Sequence, residues 1–146
     1  MAIKQISVFL ENKPGTLLEM TGVLAKENID MRALSLSETK DFGIARFIAD
    51  DVYKAASVLK EAGFINSLTP VVGVEIPDDV GGLDKVLRVL NEAKINVEYM
   101  YAFLGGGTQE HAYFVFRVGK DKEKEAESAL KAKGITVVTQ DDISKV

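Results

Sequence analysis

Two stretches of this sequence hold the residues best suited to chemistry, and they are variants of one another. Leu10-Glu11-Asn12-Lys13-Pro14-Gly15-Thr16-Leu17 and Ile76-Pro77-Asp78-Asp79-Val80-Gly81-Gly82-Leu83 each lead from a strand into a helical apolar spacing. The start of a helix leaves backbone N–H groups unpaired and carries a partial positive charge. Glycine at that point, Gly15 or Gly81, removes the Cβ and lets a ligand approach the main chain. A carboxylate suits such a position, and Asn12 or Asp78, just before the turn, can accept hydrogen bonds from an ammonium group. One turn thus complements both ends of a zwitterion. The plainer reading of the same residues is a tight strand-to-helix turn in which Asn12, Asp78 or Asp79 caps the helix.

Other chemistries find little support. The 146 residues include no Cys, which excludes thiol nucleophiles and thiolate metal sites, and a single His, His111, which leaves no local partner for a histidine metal cluster and gives no ground for a Ser–His–Asp relay. His111 by itself reads as a surface residue. The pairs Asp50-Asp51, Asp78-Asp79 and Asp141-Asp142 look like caps or tail charges rather than a general acid and base. No catalytic residue, metal or cofactor is therefore assigned, and the chain is expected not to be an enzyme. The stretch LGGGTQE, Leu104–Glu110, has no Lys after its glycines and no helix following, so it reads as a turn and not a phosphate loop. A net charge of −4 argues against nucleic acid. That holds although His111-Ala112-Tyr113-Phe114-Val115-Phe116 faintly resembles an aromatic RNA-binding strand. The lysines of KDKEKEAESALKAK alternate with Glu on a solvated helix face. No apolar run approaches the ~20 residues of a membrane span, and MAIKQISVFLENKPG lacks a signal-peptide plan. The expectation is a cytoplasmic protein without membrane or nucleic-acid partners.

The elements that position the two turns follow from an internal repeat. Gly15, Val23-Leu24 and Ile29 recur as Gly81, Val89-Leu90 and Ile95 at an offset of 66, and SVLKEAGF (Ser57–Phe64) recurs as SALKAKGI (Ser128–Ile135) at 71. The extra residues are placed in the Gly105-Gly106-Gly107 hairpin. In each copy a strand (Ile6, Val8, Leu10) precedes the glycine turn. A helix follows, with Leu17, Met20 and Leu24 in one copy and Leu83, Val86, Leu87 and Leu90 in the other. Strands are predicted over Ile29–Ser37, Phe42–Ala49, Ile95–Leu104 and Ala112–Val118, with hairpin tips at Lys40-Asp41-Gly43 and Gly105–Thr108. Second helices carry Val52, Ala55, Ala56 and Leu59, or Ala126, Ala129 and Leu130, and stop at Gly63 and Gly134. Short strands at Ile65–Leu68 and Ile135–Thr139 close the units. The fold class is α+β: two ferredoxin-like βαββαβ sandwiches in tandem, residues 1–70 and 71–146, with Pro70 at a joint too short for a flexible linker.

Two further patterns bear on assembly and on the site. The third strands are apolar on both faces: Ala45 and Phe47 against Ile44 and Ile48, and Tyr113 and Val115 against Phe114 and Phe116. Helices cover only one face, so the sheets are expected to pack on another sheet, most simply in a homodimer. Scattered aromatics on a partly wet face are the alternative. Tyr99 and Tyr101 alternate in phase with Ile95 and Val97. They either line a ligand pocket with hydroxyls or form a half-buried aromatic strand.

A duplicated βαββαβ unit with N-x-P-G-x-L at its first turn and a closing ENIDM or KINVEYM segment resembles a tandem ACT-domain protein, over nearly the whole chain. The resemblance implies a regulatory module that binds a small molecule, most often an amino acid, between adjacent domains. It places the ligand at Asn12, Lys13, Pro14, Gly15, Thr16 and Leu17 and at the copy Asp78, Val80, Gly81, Gly82 and Leu83. The neighbouring domain would contribute the start of its second strand, Asp30 and Met31 or Asn96 and Val97. Val80-Gly81 departs from Pro14-Gly15, so the two turns need not bind equally. With no attached catalytic domain, the chain is expected to regulate an enzyme of amino-acid metabolism in trans, or to buffer or sense its ligand. The rival expectation is a ligand-free interaction domain docking on a metabolic enzyme.

Overall fold

The computed structural model describes residues 2–103 and 111–145; the glycine tip at Gly105–Thr108 lies outside them. Its elements are β1 (Ile3–Glu11), α1 (Thr16–Lys26), β2 (Met31–Glu38), β3 (Phe42–Ala49), α2 (Val52–Glu61) and β4 (Asn66–Pro77). There follow α3 (Gly82–Glu92), β5 (Val97–Phe103), β6 (His111–Val118), α4 (Glu123–Ala132), β7 (Thr136–Val138) and α5 (Gln140–Lys145). The fold is two ferredoxin-like α+β sandwiches in tandem. One compact unit comprises Lys4–Thr69; the other runs from Pro70 onward and takes in Ile3. The last strand of the first βαββαβ and the first strand of the second are both contained in the twelve-residue β4.

Each unit builds its core from the alternation visible in its strands. In the first, Ile6 lies opposite Phe47 and Val8 opposite Ala45. These side chains pack with Met20 and Leu24 of α1 and with Ala55 and Leu59 of α2. In the second, Val72 faces Phe116 and Val74 faces Phe114, under Val86, Val89 and Leu90 of α3 and Ala126 and Leu130 of α4. Gly63 and Gly134 end their helices in the left-handed region, with φ of 91° and 77°.

Four sequence expectations change in detail. The extra residues of the second copy are divided. Ser37 pairs with Ile44 and Phe103 with Tyr113, so the offset has grown from 66 to 69 across the hairpin. It reaches 71 only after β6, where Gly119–Lys122 forms a turn before α4, the Lys122 N–H donating to Gly119 O at 3.0 Å. Tyr99 and Tyr101 do not share a face with Val97. A bulge between Val97 and Tyr99 sets Val97 opposite Val118 but Tyr99 opposite Arg117 and Tyr101 opposite Val115. One inserted residue reverses which face every later side chain occupies. Val97 and Met100 therefore pack on the helix-side core, and the two tyrosines lie on the other face. The same shift occurs between Met31 and Ala33 in β2. The helical caps also differ: Gly15 and Gly81 are themselves the N-caps, and no side chain caps α1 or α3.

The fourth difference is α5. Thr139 and Asp142 cap each other's backbone: Thr139 N–H donates to Asp142 Oδ2 at 2.8 Å and Asp142 N–H donates to Thr139 Oγ1 at 3.2 Å. This capping box lets a six-residue helix form and buries Ile143. Asp142 is thus a structural cap, as the sequence suggested for Asp141-Asp142, but of a helix it did not reveal. Asp142→Ala is expected to lower stability by about 1 kcal/mol, read by urea denaturation, whereas Asp141→Ala leaves the midpoint unchanged.

Candidate functional site

In the first unit the turn is held by its own polar groups. The single Thr16 Oγ1 proton is shared between Glu11 O at 2.8 Å and Lys13 O at 3.1 Å, folding the loop back on the end of β1. Asn12 Nδ2 donates to Thr39 O at 3.2 Å and more weakly to Lys40 O and Glu38 Oε2, reaching the tip of the β2–β3 hairpin. Its backbone N–H donates to Asp41 O at 3.0 Å. Lys13 Nζ pairs with Glu11 Oε2 at 2.9 Å, and the hydrogen bond to that carboxylate, with its charge, raises the Lys13 ammonium above its ordinary value. Pro14 precedes Gly15, which sits at φ 92° with nothing within 4 Å of where a Cβ would lie.

The consequence is an open helix end. The Glu19 N–H closes the first turn of α1 on Gly15 O, but among the described residues nothing accepts from the backbone N–H of Thr16, Leu17 or Leu18. These donors share one end of α1 with its partial positive charge. The Gly15–Leu17 stretch can take an anionic group against the main chain, with Lys13 beside it.

The second turn repeats the backbone with other side chains. Gly81 has φ 84° and open space around its missing Cβ. Gly82 N–H donates to Asp79 O at 3.1 Å, leaving the Leu83 and Asp84 amides without an acceptor among the described residues. Gly82 stands where Thr16 stands, without a hydroxyl, and its main chain lies close to the end of β4. An added Cβ would come within 3.1 Å of Pro77 O. Asp78, Gly81, Gly82 and Leu83 line one shallow concavity of about 310 Å³ together with Phe114. Val80 projects fully into solvent. Three carboxylates, Asp78, Asp79 and Asp84, border this turn, where the first has Glu11 and Glu19 together with Lys13. Asp84 is engaged by Arg88 at 2.7 Å.

The strand-start candidates do not join their own turn. Asp30 lies at the opposite end of β2 from the Asn12 contact, and an eight-residue strand spans roughly 26 Å. There its backbone N–H donates to Asp50 Oδ1 at 3.1 Å and its carboxylate pairs with Arg32 at 3.0 Å. Met31 and Val97 pack against their units' cores, and Asn96 is exposed. Tyr99 and Tyr101 face away from the helix side onto which the Asp78–Leu83 turn leads. Thr16 was legible only as a turn residue; its shared hydrogen bond depends on Glu11 O and Lys13 O converging. Phe114 entered the sequence reading as a strand residue and emerges as part of the second concavity.

A family model described as an ACT domain pair matches residues 1–146. Among solved structures the chain is similar to protein BT0572 from Bacteroides thetaiotaomicron. They share 40% identity and a TM-score of 0.91, covering 100% of this chain and 98% of that one. The regulatory subunit of aspartate kinase from Thermus thermophilus, in ligand-free form, has the same fold at 15% identity and a TM-score of 0.66, covering 90% and 93%. Aspartokinase alpha and beta subunits align at 18% identity and a TM-score of 0.58, covering 90% and 92%. No curated protein matches significantly.

Proposed function

The chain belongs to the ACT domain-pair family, and from that premise we propose that it is a non-catalytic regulator that senses an amino acid through its glycine turns. The observation that carries this reading is the uncapped start of α1: three unpaired amides beyond a left-handed glycine, with Lys13 alongside. The ligand carboxylate docks on the Gly15–Leu17 amides. Its ammonium group is met by the oxygen of Asn12, or at the second turn by the carboxylate of Asp78. Asp30 and Met31, or Asn96 and Val97, contribute from a different ACT unit, because within one unit they lie at the far end. Tyr99 and Tyr101, on the sheet face away from their own unit's helices, would meet the ligand only from a different ACT unit. Binding shifts the balance between packings of ACT units, and a partner reads that shift. The partner is an enzyme of amino-acid metabolism acted on in trans, in the cytoplasm. No described helix is long and apolar enough to cross a membrane. The chain works as a homodimer; on the sheet face away from the helices, Phe9 and Phe42 are about half exposed, at 50% and 57%.

Screening the standard amino acids by thermal shift and then calorimetry tests the reading. One or a few are expected to bind and to raise the melting temperature, since a ligand at 100 times its Kd adds about 2.7 kcal/mol to the native state. Silence across the panel overturns it in favour of a docking domain that uses the exposed Phe9–Phe42 face.

A further inference from the structure

The duplication forms one crevice twice, and the two copies differ sharply in charge. Each lies between the end of the unit's first strand, the first turns of its first helix and the turn after its second helix. In the first unit it holds about 220 Å³ and is lined by Phe9, Glu11, Lys13, Glu19 and Phe64. In the second it holds about 310 Å³ and is lined by Glu75, Lys85, His111, Lys133 and Thr136. The offsets of the repeat align these positions. Lys85 stands where the first unit has Glu19, and Lys133 where it has Ala62. Thr136 replaces Ile65, and Glu75 replaces Phe9. By strand pairing, His111 opposite Pro77 replaces Phe42 opposite Glu11.

The cationic groups of the second crevice are also uncommitted. The one lysine of the first crevice, Lys13, is paired with Glu11. Among the described residues the ammonium groups of Lys85 and Lys133 have no hydrogen-bond or ion-pair partner. The single carboxylate on the wall, Glu75, accepts from Tyr113 Oη at 2.8 Å and faces His111 Nδ1 at 3.9 Å. Its charge is therefore directed to the far side. Two unpaired ammonium groups border the recess on the helix side, whereas the imidazole of His111 and the Thr136 hydroxyl stand with Glu75 on the other face of the sheet. A singly charged carboxylate would use only one ammonium; a phosphoryl dianion would use both.

We propose that this crevice binds a phosphoryl group, as free phosphate or as a small phosphate monoester, at a site that borders the second glycine turn at Gly82. The fold supplies the recess in both units, and the substitutions at 85 and 133 supply the anion chemistry in one. Titration of the full chain with inorganic phosphate and with glycerol 3-phosphate, at ionic strength fixed with sodium chloride, tests the idea. Both phosphates are expected to bind with unit stoichiometry; binding of inorganic phosphate alone restricts the site to the free ion. The variant Lys85→Glu with Lys133→Ala, which writes the first unit's residues into the second, is expected to lose at least tenfold in affinity. Both lysines are exposed and unpaired, so the variant keeps its circular dichroism and melting temperature. Neither phosphate exceeding chloride, succinate binding as well as phosphate, or an unchanged affinity in the folded variant would each overturn the proposal. No amino acid enters the measurement, so its result stands apart from the regulatory reading.

Discussion

Gly15→Val is expected to weaken amino-acid binding by at least tenfold while the fold persists. Gly15 lies at φ 92°, and a β-branched residue there costs roughly 1–2 kcal/mol of backbone strain. Open space surrounds its missing Cβ, so the fold tolerates the side chain sterically. What suffers is the turn: to relieve strain the chain rotates the Thr16 and Leu17 amides out of register, and the valine methyl groups fill the ligand's approach. Gly63→Val provides the matched control, because Gly63 has φ 91° and equally open surroundings at the end of α2. The two variants should lose similar stability in urea, and only Gly15→Val should lose heat on titration with the ligand. Equal affinity in both would show that the turn does not carry the binding.

The largest loss of stability is expected from Phe116→Ala, about 3–5 kcal/mol. Phe116 is fully buried, opposite Val72 on one side and Met100 on the other, with the Phe114 ring 6.3 Å away. Truncation removes its contacts with both strands and with α3 and α4 and leaves a cavity that those helices cannot close without moving. Phe47→Ala, its counterpart in the first unit, should behave alike. Leu18→Ala, at a position 74% exposed, should change stability by less than about 0.5 kcal/mol. Urea unfolding separates these outcomes. A Phe116→Ala midpoint within error of the wild type would mean that the second core is not organised around this ring.

Much of this architecture was legible because local patterns agree with it. The alternation of Ile6, Val8 and Leu10 and the helical spacing of Leu83, Val86, Leu87 and Leu90 each point to a single buried face, and the repeat checks one copy against the other. The glycines at 15, 63, 81 and 134 were readable because only that residue takes a left-handed conformation without strain. The bulges were not readable. Alternation through Ile95, Val97, Tyr99 and Tyr101 continues unbroken in the sequence, and only the pairing with β6 reveals that the phase reverses after Val97. Nor was α5, since six residues show too little periodicity and the Thr139–Asp142 exchange looks like an ordinary acidic tail. The turns were found as places, but the Asn12 hydrogen bonds of the first depend on carbonyls 27 and 28 residues away, at Thr39 and Lys40. The cationic crevice was out of reach for the same reason: Glu75, Lys85 and His111 belong to β4, α3 and β6 and Lys133 to the turn after α4, and they meet only in the folded unit.

The reach of Asn12 to the hairpin carbonyls has a mechanical meaning. An amide NH2 tethers the first glycine turn to a tip more than two dozen residues downstream, so a tug on one end is felt at the other. The carboxylate of Asp78, which stands at the matching position, has no N–H to offer a carbonyl in this way. In the first unit a displacement of the turn is therefore passed on to the β2–β3 hairpin through the Asn12 side chain.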